Sequence, residues 1–210
     1  MRRPAWLLVA KVAFALLGFS AVVTELATLA ERDRLVASNF FSFFTIQSNL
    51  LAVLALLLGA CSRSTGSGRD LLDWFRGAAT LSMVITGIVF SLLLSGLEDA
   101  ELTAVPWDNV VLHYVMPVAV LGDWLVDRSD RPVPFRHALL WLVYPLGYLA
   151  YSLVRGPIVD WYPYPFLDAS VKGYGSIAAT SVVIAVVAIG LTWVLAWTSR
   201  RDREPVPAIS

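Results

Sequence analysis

Four hydrogen-bonding side chains, Thr45, Gln47, Ser48 and Asn49, interrupt the otherwise apolar stretch FFTIQSNLLAVLALLLGA, residues 43 to 60. A second polar set, Asn109, His113 and Pro117, recurs at intervals of four within NVVLHYVMPVAVLGDWLV. Residues four apart share a helix face, so Thr45 and Asn49 form one stripe with Ser48 beside it, while Gln47 faces away. Pro117 has no N–H for the carbonyl of His113, so that helix must bend or hydrate at the histidine. Hydroxyls near an imidazole have two uses. They can join helices through hydrogen bonds of about 0.6 kcal/mol each, or the imidazole can take a hydroxyl proton and leave an oxygen nucleophile. An ionisable side chain inside a membrane segment points by default to function.

The rest of the chain is built for a bilayer. Of its 210 residues 58% are hydrophobic and only 15% charged, with a mean hydropathy of +0.69, whereas soluble domains carry roughly 45–50% and about 25%. A helix needs about twenty apolar residues to cross a ~30 Å hydrocarbon core. Such stretches run from Pro4 to Leu26, Phe40 to Ala60, Gly77 to Leu97, Asn109 to Val126, Ala138 to Val154 and Tyr174 to Trp197. The expected fold is all-α: a bundle of six transmembrane helices over residues 1–199, with a flexible tail at 200–210. The first stretch reads as a retained helix, because its apolar run is too long for a cleaved leader, Lys11 interrupts it and no small-residue cleavage site follows.

Basic residues set the expected orientation. Arg2, Arg3, Arg63, Arg69, Arg76, Arg128, Arg131, Arg136, Arg200, Arg201 and Arg203 fall on one side, and only Arg32, Arg34, Arg155 and Lys172 on the other. Both termini are therefore expected in the cytoplasm and the chain in the cell membrane. In that topology Thr45 lies about 7 Å and His113 about 9 Å into their helices from the outer side. The fifth helix, running outward, carries Tyr144, Tyr148, Ser152 and Arg155 on one face. Three helices can thus supply one outer polar pocket.

Other chemistries find little support. The near-zero net charge and dispersed basic residues argue against nucleic acid as a partner. His137 begins the fifth helix about 21 Å of helix below the outer pocket, so one haem cannot use both histidines. Metal, nucleotide and dinucleotide motifs are missing from the sequence, and no metal or cofactor is expected. Cys61 is the single cysteine, which excludes an intramolecular disulfide. Lys11 and Asp123, both nearer the cytoplasmic side, are expected to snorkel or pair with each other. Gly87, Ser91 and Ser95 read as a close-packing seam.

Three blocks, FFTIQSNLL at 43 to 51, NVVLHYVMPVAVLGDWLV at 109 to 126, and YPLGYLAYSLVRG at 144 to 156 with WYPYPFLD at 161 to 168, resemble the androgen-induced gene family of multi-pass membrane proteins. The bacterial branch of that family looks nearest. Animal members are intramembrane threonine hydrolases that cleave fatty acid esters of hydroxy fatty acids. The resemblance implies that Thr45, preceded by Phe43 and Phe44, is the nucleophile and that His113, set between Asn109 and Pro117, is its base. The chain differs from the animal members in its more polar IQSNLL. On this reading Asn109 orients the imidazole, Asn49 or Tyr148 donates to a developing oxyanion, Arg155 or Lys172 holds a substrate carboxylate, and the partner is a membrane lipid or fatty acid ester. The alternative is a noncatalytic lipid-binding or transport protein that uses the same pocket for recognition.

Overall fold

The computed structural model describes residues 4–61, 67–95, 105–129 and 131–199. The tail 200–210 and most of the polar loop after Cys61 lie outside the described residues. Six helices are long and apolar enough to cross a membrane: α1 Ala5–Glu31, α2 Phe44–Cys61, α3 Gly68–Leu94, α4 Pro106–Val126, α5 Phe135–Val159 and α6 Ala169–Thr198. There is no strand among the described residues. The expected all-α architecture with six helices of membrane-spanning length is therefore observed, with most helices extending several residues past the apolar stretches.

The largest extension is at α3, which begins about ten residues before the apolar run and takes in Arg69, Asp73 and Arg76. Charge did not end this helix, because each charge meets a partner inside the bundle. Lys11 of α1 bonds Asp123 of α4 and lies 3.1 Å from Asp127. Arg76 reaches Asp123 at 2.8 Å and Asp73 at 3.0 Å, while Arg69 reaches Asp73 at 3.0 Å and Asp127 at 3.7 Å. Ser129 donates to Asp73 at 2.8 Å. The expected Lys11–Asp123 pair is thus one edge of a balanced cluster of three cations and three carboxylates, buried where α1, α3 and α4 meet near the face that carries Ala5 and Thr198.

The first four helices pack tightly, α1 on α2, α2 on α3 and α3 on α4. Close approach is enforced at Gly87, where an added Cβ would stand 3.1 Å from Pro117. Ser91 and Ser95, expected on the same seam, instead face outward and bond the carbonyls of Gly87 and Ser91. Only the glycine makes the seam. Helices α5 and α6 are the least buried and flank the tight group. Helix α5 is tied to the start of α2 by hydroxyls: Tyr144 donates to Gln47 at 2.9 Å, Tyr148 to the Ser42 carbonyl at 3.0 Å, and Tyr151 pairs with Ser42 at 2.7 Å. Such polar tethers hold a helix without filling the space beside it.

Beyond α5 the chain reverses at Asp160, which takes a left-handed φ of 50°, a conformation Asp tolerates better than most residues. Residues 161–168 then form a strap across the face opposite the ion cluster. Its Tyr162 ring packs on Gly156 so closely that an added Cβ would collide with it. Trp161 meets the Phe43 ring edge-on at 5.5 Å. The strap ends at Asp168, which caps α6 by accepting from Ser170 N at 2.9 Å and Ser170 Oγ at 2.6 Å.

Removing one charge from the buried cluster leaves its partners uncompensated, a loss of about 3–5 kcal/mol for a buried pair. Lys11→Met should therefore lower the thermal midpoint of the detergent-solubilised protein strongly, and Lys11→Met with Asp127→Asn should recover part of the loss. Strictly additive losses in this cycle would contradict a shared cluster.

Candidate functional site

Thr45 sits in the first turn of α2 between two core clusters: its neighbour Phe44 packs in one and Ile46 in the other. Its hydroxyl is buried at the seam. His113 comes from a wide turn in α4, where Val111–Val115 form a π-helix immediately before Pro117. The cause is local. Pro117 cannot donate to His113 O, and Met116 N–H bonds Val111 O, five residues back. That shift frees the carbonyl of Leu112, which in an α-helix would receive Met116 N–H. Asn49 of α2 fills the vacancy, its amide donating to Leu112 O at 3.2 Å and to Thr45 O at 2.9 Å. One side chain thus clamps the turn that carries the histidine to the turn that carries the threonine.

The imidazole is fixed on three sides. Its Nδ1 lies 3.0 Å from Asn109 O, and since a carbonyl only accepts, Nδ1 must carry the proton and Nε2 the lone pair. Nε2 lies 3.2 Å from Thr45 Oγ1, so the threonine hydroxyl donates to it. Against the ring face stacks Phe90, with centroids 3.8 Å apart and planes 18° apart. Phe90 itself opens a second π-helical turn, Phe90–Leu94, at the end of α3.

The third group in contact with Thr45 is Tyr164 of the strap. Its hydroxyl accepts from Thr45 N at 3.1 Å and lies 3.2 Å from Thr45 Oγ1. Because Oγ1 directs its own hydrogen at His113, the Tyr164 O–H donates to Oγ1. Burial pushes the Tyr164 hydroxyl above its ordinary pKa, which keeps that proton in place. The bonds run in one direction: Tyr164 O–H to Thr45 Oγ1, Thr45 O–H to His113 Nε2, His113 Nδ1–H to Asn109 O. The sequence marks Tyr164 only as one of the aromatic residues of WYPYPFLD. Nothing in YPYPF distinguishes it from Tyr162, which points at Gly156 instead.

The remaining expected site residues take other positions. Asn109 meets the imidazole through its backbone carbonyl, not through its side chain. Both amide hydrogens of Asn49 are committed to carbonyls. Tyr148 lines a cavity but spends its proton on Ser42 O. Arg155 donates to Asn39 Oδ1 at 2.7 Å and stacks over Trp161 at 5.2 Å. Ser48 joins α2 to α3 through Thr86 at 2.8 Å.

Two cavities meet at the threonine. One, about 130 Å³, is apolar and lies between α2, α3, α5 and α6, walled by Phe44, Ile85, Leu149, Phe166 and Ala185. The other, about 330 Å³, opens below the strap and is walled by Glu25, Arg34, Asn39, Phe43, His113 and Trp161. Thr45 and Tyr164 border both, whereas His113 borders only the second. No group of three or more potential metal ligands occurs among the described residues.

Comparison of the chain with protein families, with curated proteins and with solved structures returns no match. Asn49→Leu keeps the side-chain size but leaves Leu112 O without its donor, a loss of about 1–3 kcal/mol for a buried polar group. The thermal midpoint should fall accordingly. A midpoint equal to that of the unsubstituted protein would show that the clamp carries no load.

Proposed function

We propose that the protein is an intramembrane lipid-ester hydrolase with Thr45 as nucleophile and His113 as base. The observation that carries the reading is the buried 3.2 Å contact between Thr45 Oγ1 and the unprotonated Nε2 of His113, at the meeting point of an apolar cavity and one of mixed polar and apolar lining. A bundle that only needed to join α2 to α4 already has the Asn49 clamp. A hydroxyl directed at a lone pair whose tautomer is set from behind is the arrangement that activates a weak nucleophile. The resemblance to the androgen-induced gene family supports the same two roles.

In the first half-reaction Thr45 Oγ1 attacks the ester carbonyl carbon as its proton passes to His113 Nε2. The C–O bond to the alcohol then breaks, and the alcohol oxygen takes that proton from Nε2. Water adds to the acyl-threonine, again losing a proton to Nε2, and the fatty acid leaves as Thr45 recovers its hydrogen. Charge builds on the carbonyl oxygen in both halves. The donors beside Oγ1 are Thr45 N–H and Tyr164 O–H, and a single such donor is worth about 3–4 kcal/mol where it is removed. Asn109 takes the role of orienting the ring, which keeps the lone pair on the threonine through the cycle.

The side of the strap is assigned to the cell exterior, because the arginines cluster at the opposite face and the strap bears none. The site then opens on the outer leaflet of the cell membrane. A lipid-binding or transport protein is the second reading, favoured by the exposed apolar cavity alone.

Thr45→Ala and His113→Ala should each abolish hydrolysis of lipid esters while the protein stays folded, and the double variant should be hardly worse than either single one, as groups acting as a unit require. Labelling with a lipid-like fluorophosphonate should place the adduct on Thr45. Hydrolysis by Thr45→Ala at the unsubstituted rate would end the assignment, and lipid binding without hydrolysis or labelling would favour the second reading. Tyr164→Phe should lower kcat by about 10²–10³ with a much smaller change in KM; an unchanged kcat would remove Tyr164 from the chemistry. With Cys61 replaced, a cysteine at Asp160 should react with an impermeant thiol reagent from outside the cell and one at Gly66 should not. The reverse pattern would invert the topology.

A further inference from the structure

The apolar cavity has a direction. At one end stand Thr45 and, from the strap, Tyr164 and Phe166; from there it runs toward the opposite face along α5 from Leu149 to Leu142 and along α6 from Ser181 to Ile189. Eight residues of α6 rise about 12 Å, most of the half-thickness of a ~30 Å hydrocarbon core. A space of that length and direction lies as a lipid chain of the strap-side leaflet lies, with its head end at the threonine. The hydroxyls along it are spent: Thr86 donates to Ser82 O at 3.0 Å and Tyr148 to Ser42 O at 3.0 Å. Apart from Ser181 and the threonine end, the wall offers hydrocarbon, and a space with so few polar partners does not retain water.

The cavity is open to the bilayer on one flank. Packing of α5 on α6 is concentrated at Phe135–Leu142 and is sparse from Val143 onward, where the tyrosine tethers hold α5 to the start of α2 instead. In that gap Leu146 of α5 and Ile189 of α6 line the cavity while remaining 52% and 45% exposed. They belong at once to its wall and to the lipid-facing surface. The flank between α3 and α6 differs. An apolar groove runs along its outside, and Ile85, Val89 and Ile184 border both the groove and the cavity. Ile85 is buried, as are Phe90 and Leu94 beside it on α3, so these side chains stand as a partition.

We infer that the apolar cavity holds a single alkyl chain of a membrane lipid, which enters sideways from the bilayer between α5 and α6. The chain site stands on the cavity alone; resting on the hydrolase reading, it becomes the place of the acyl arm of an ester whose carbonyl carbon lies at Thr45 Oγ1. The substrate is then a long-chain ester already dissolved in the strap-side leaflet, rather than one collected from water. Chain carbons beyond the reach of the cavity pass out between Leu146 and Ile189 into lipid. A lengthening chain therefore gains contact with the walls up to that point and none after it.

The experiment uses the full chain in phosphatidylcholine nanodiscs with two probes. Hexadecanol carrying a mid-chain diazirine should, on photolysis, label Phe90 and Ala188, which are buried and out of reach of lipid around the bundle. Labels only on the outward residues Leu92 and Val183, or on Leu29 and Phe40 of the cavity below the strap, would overturn the inference. Leu146→Trp, and independently Ile189→Trp, obstruct the gap at lipid-facing positions where a larger side chain leaves the core intact. Each should reduce labelling of Ala188 at least fivefold, whereas Leu92→Trp on the α3 flank should leave it within twofold. The second probe is a series of 4-methylumbelliferyl esters of four- to sixteen-carbon acids. With the unsubstituted protein kcat/KM should rise with chain length and level off before sixteen carbons. Both gap variants should lower the sixteen- to four-carbon ratio at least tenfold while the four-carbon rate stays within threefold, which shows the reacting groups undisturbed. If the ratio is unchanged in both, or falls only in Leu92→Trp, the chain takes another route and the inference fails although the hydrolase reading stands. If no ester is cleaved and yet Ala188 is labelled in a manner that both gap variants suppress, the hydrolase reading falls and the alkyl-chain site remains.

Discussion

A single missing hydrogen organises the centre of this protein. Proline at position 117 offers no N–H to His113 O, and in a bilayer no bulk water is available to repair the gap. The helix responds by widening to a π turn, and the widening has two results. It frees the Leu112 carbonyl for Asn49, which ties α4 to α2 at the level of Thr45. It also presents the histidine so that Nδ1 reaches the Asn109 carbonyl while Nε2 reaches the threonine. The tautomer, the hydroxyl's direction and the spacing of the two helices thus depend on one another, and Gly87 leaves the room that Pro117 occupies against α3.

At the opposite face the same scarcity of water produces the ion cluster. Six charges share one buried site, and each carboxylate meets at least two cations. Such a cluster is a weak source of net stability, since desolvation opposes the attraction. It is, however, intolerant of change in position, and it gathers α1, α3 and α4 at one end as the Asn49 clamp gathers α2 and α4 near the other. The rigid group of four helices is held at both ends.

Helices α5 and α6 are attached differently. Tyrosine hydroxyls tether α5 at the edge of α2, and the strap beyond it turns back over the site to deliver Tyr164 to Thr45. Contacts at the tips of long side chains hold a helix at a distance, and the distance is the apolar cavity. A tightly packed core positions the reacting groups; a loosely packed flank provides the volume beside them. Both belong to one continuous chain of six helices, with the cavity below the strap on the far side of Thr45.

The sequence by itself determined the number of spans, because twenty apolar residues in a row have few other places to go. It also determined that Thr45 and His113 lie at one depth, through helix rise and the order of crossings, and that something irregular happens at Pro117. The form of that irregularity, a π turn capped by Asn49 from another helix, required knowing which helix stands opposite. Lys11 and Asp123 could be matched as opposite charges at similar depth, but Arg69 and Arg76 read as loop residues. Their burial depends on carboxylates more than forty positions away in sequence, at Asp123 and Asp127. Tyr162 and Tyr164 are the same residue type in the same setting, each beside Pro163. Only the path of the strap, fixed by the left-handed turn at Asp160 and by the fit of Tyr162 on Gly156, brings one of them to Thr45 and leaves the other on α5. Local rules of spacing reach along a single helix, while contacts between elements far apart in sequence are settled by packing, and the third partner of Thr45 was of that second kind.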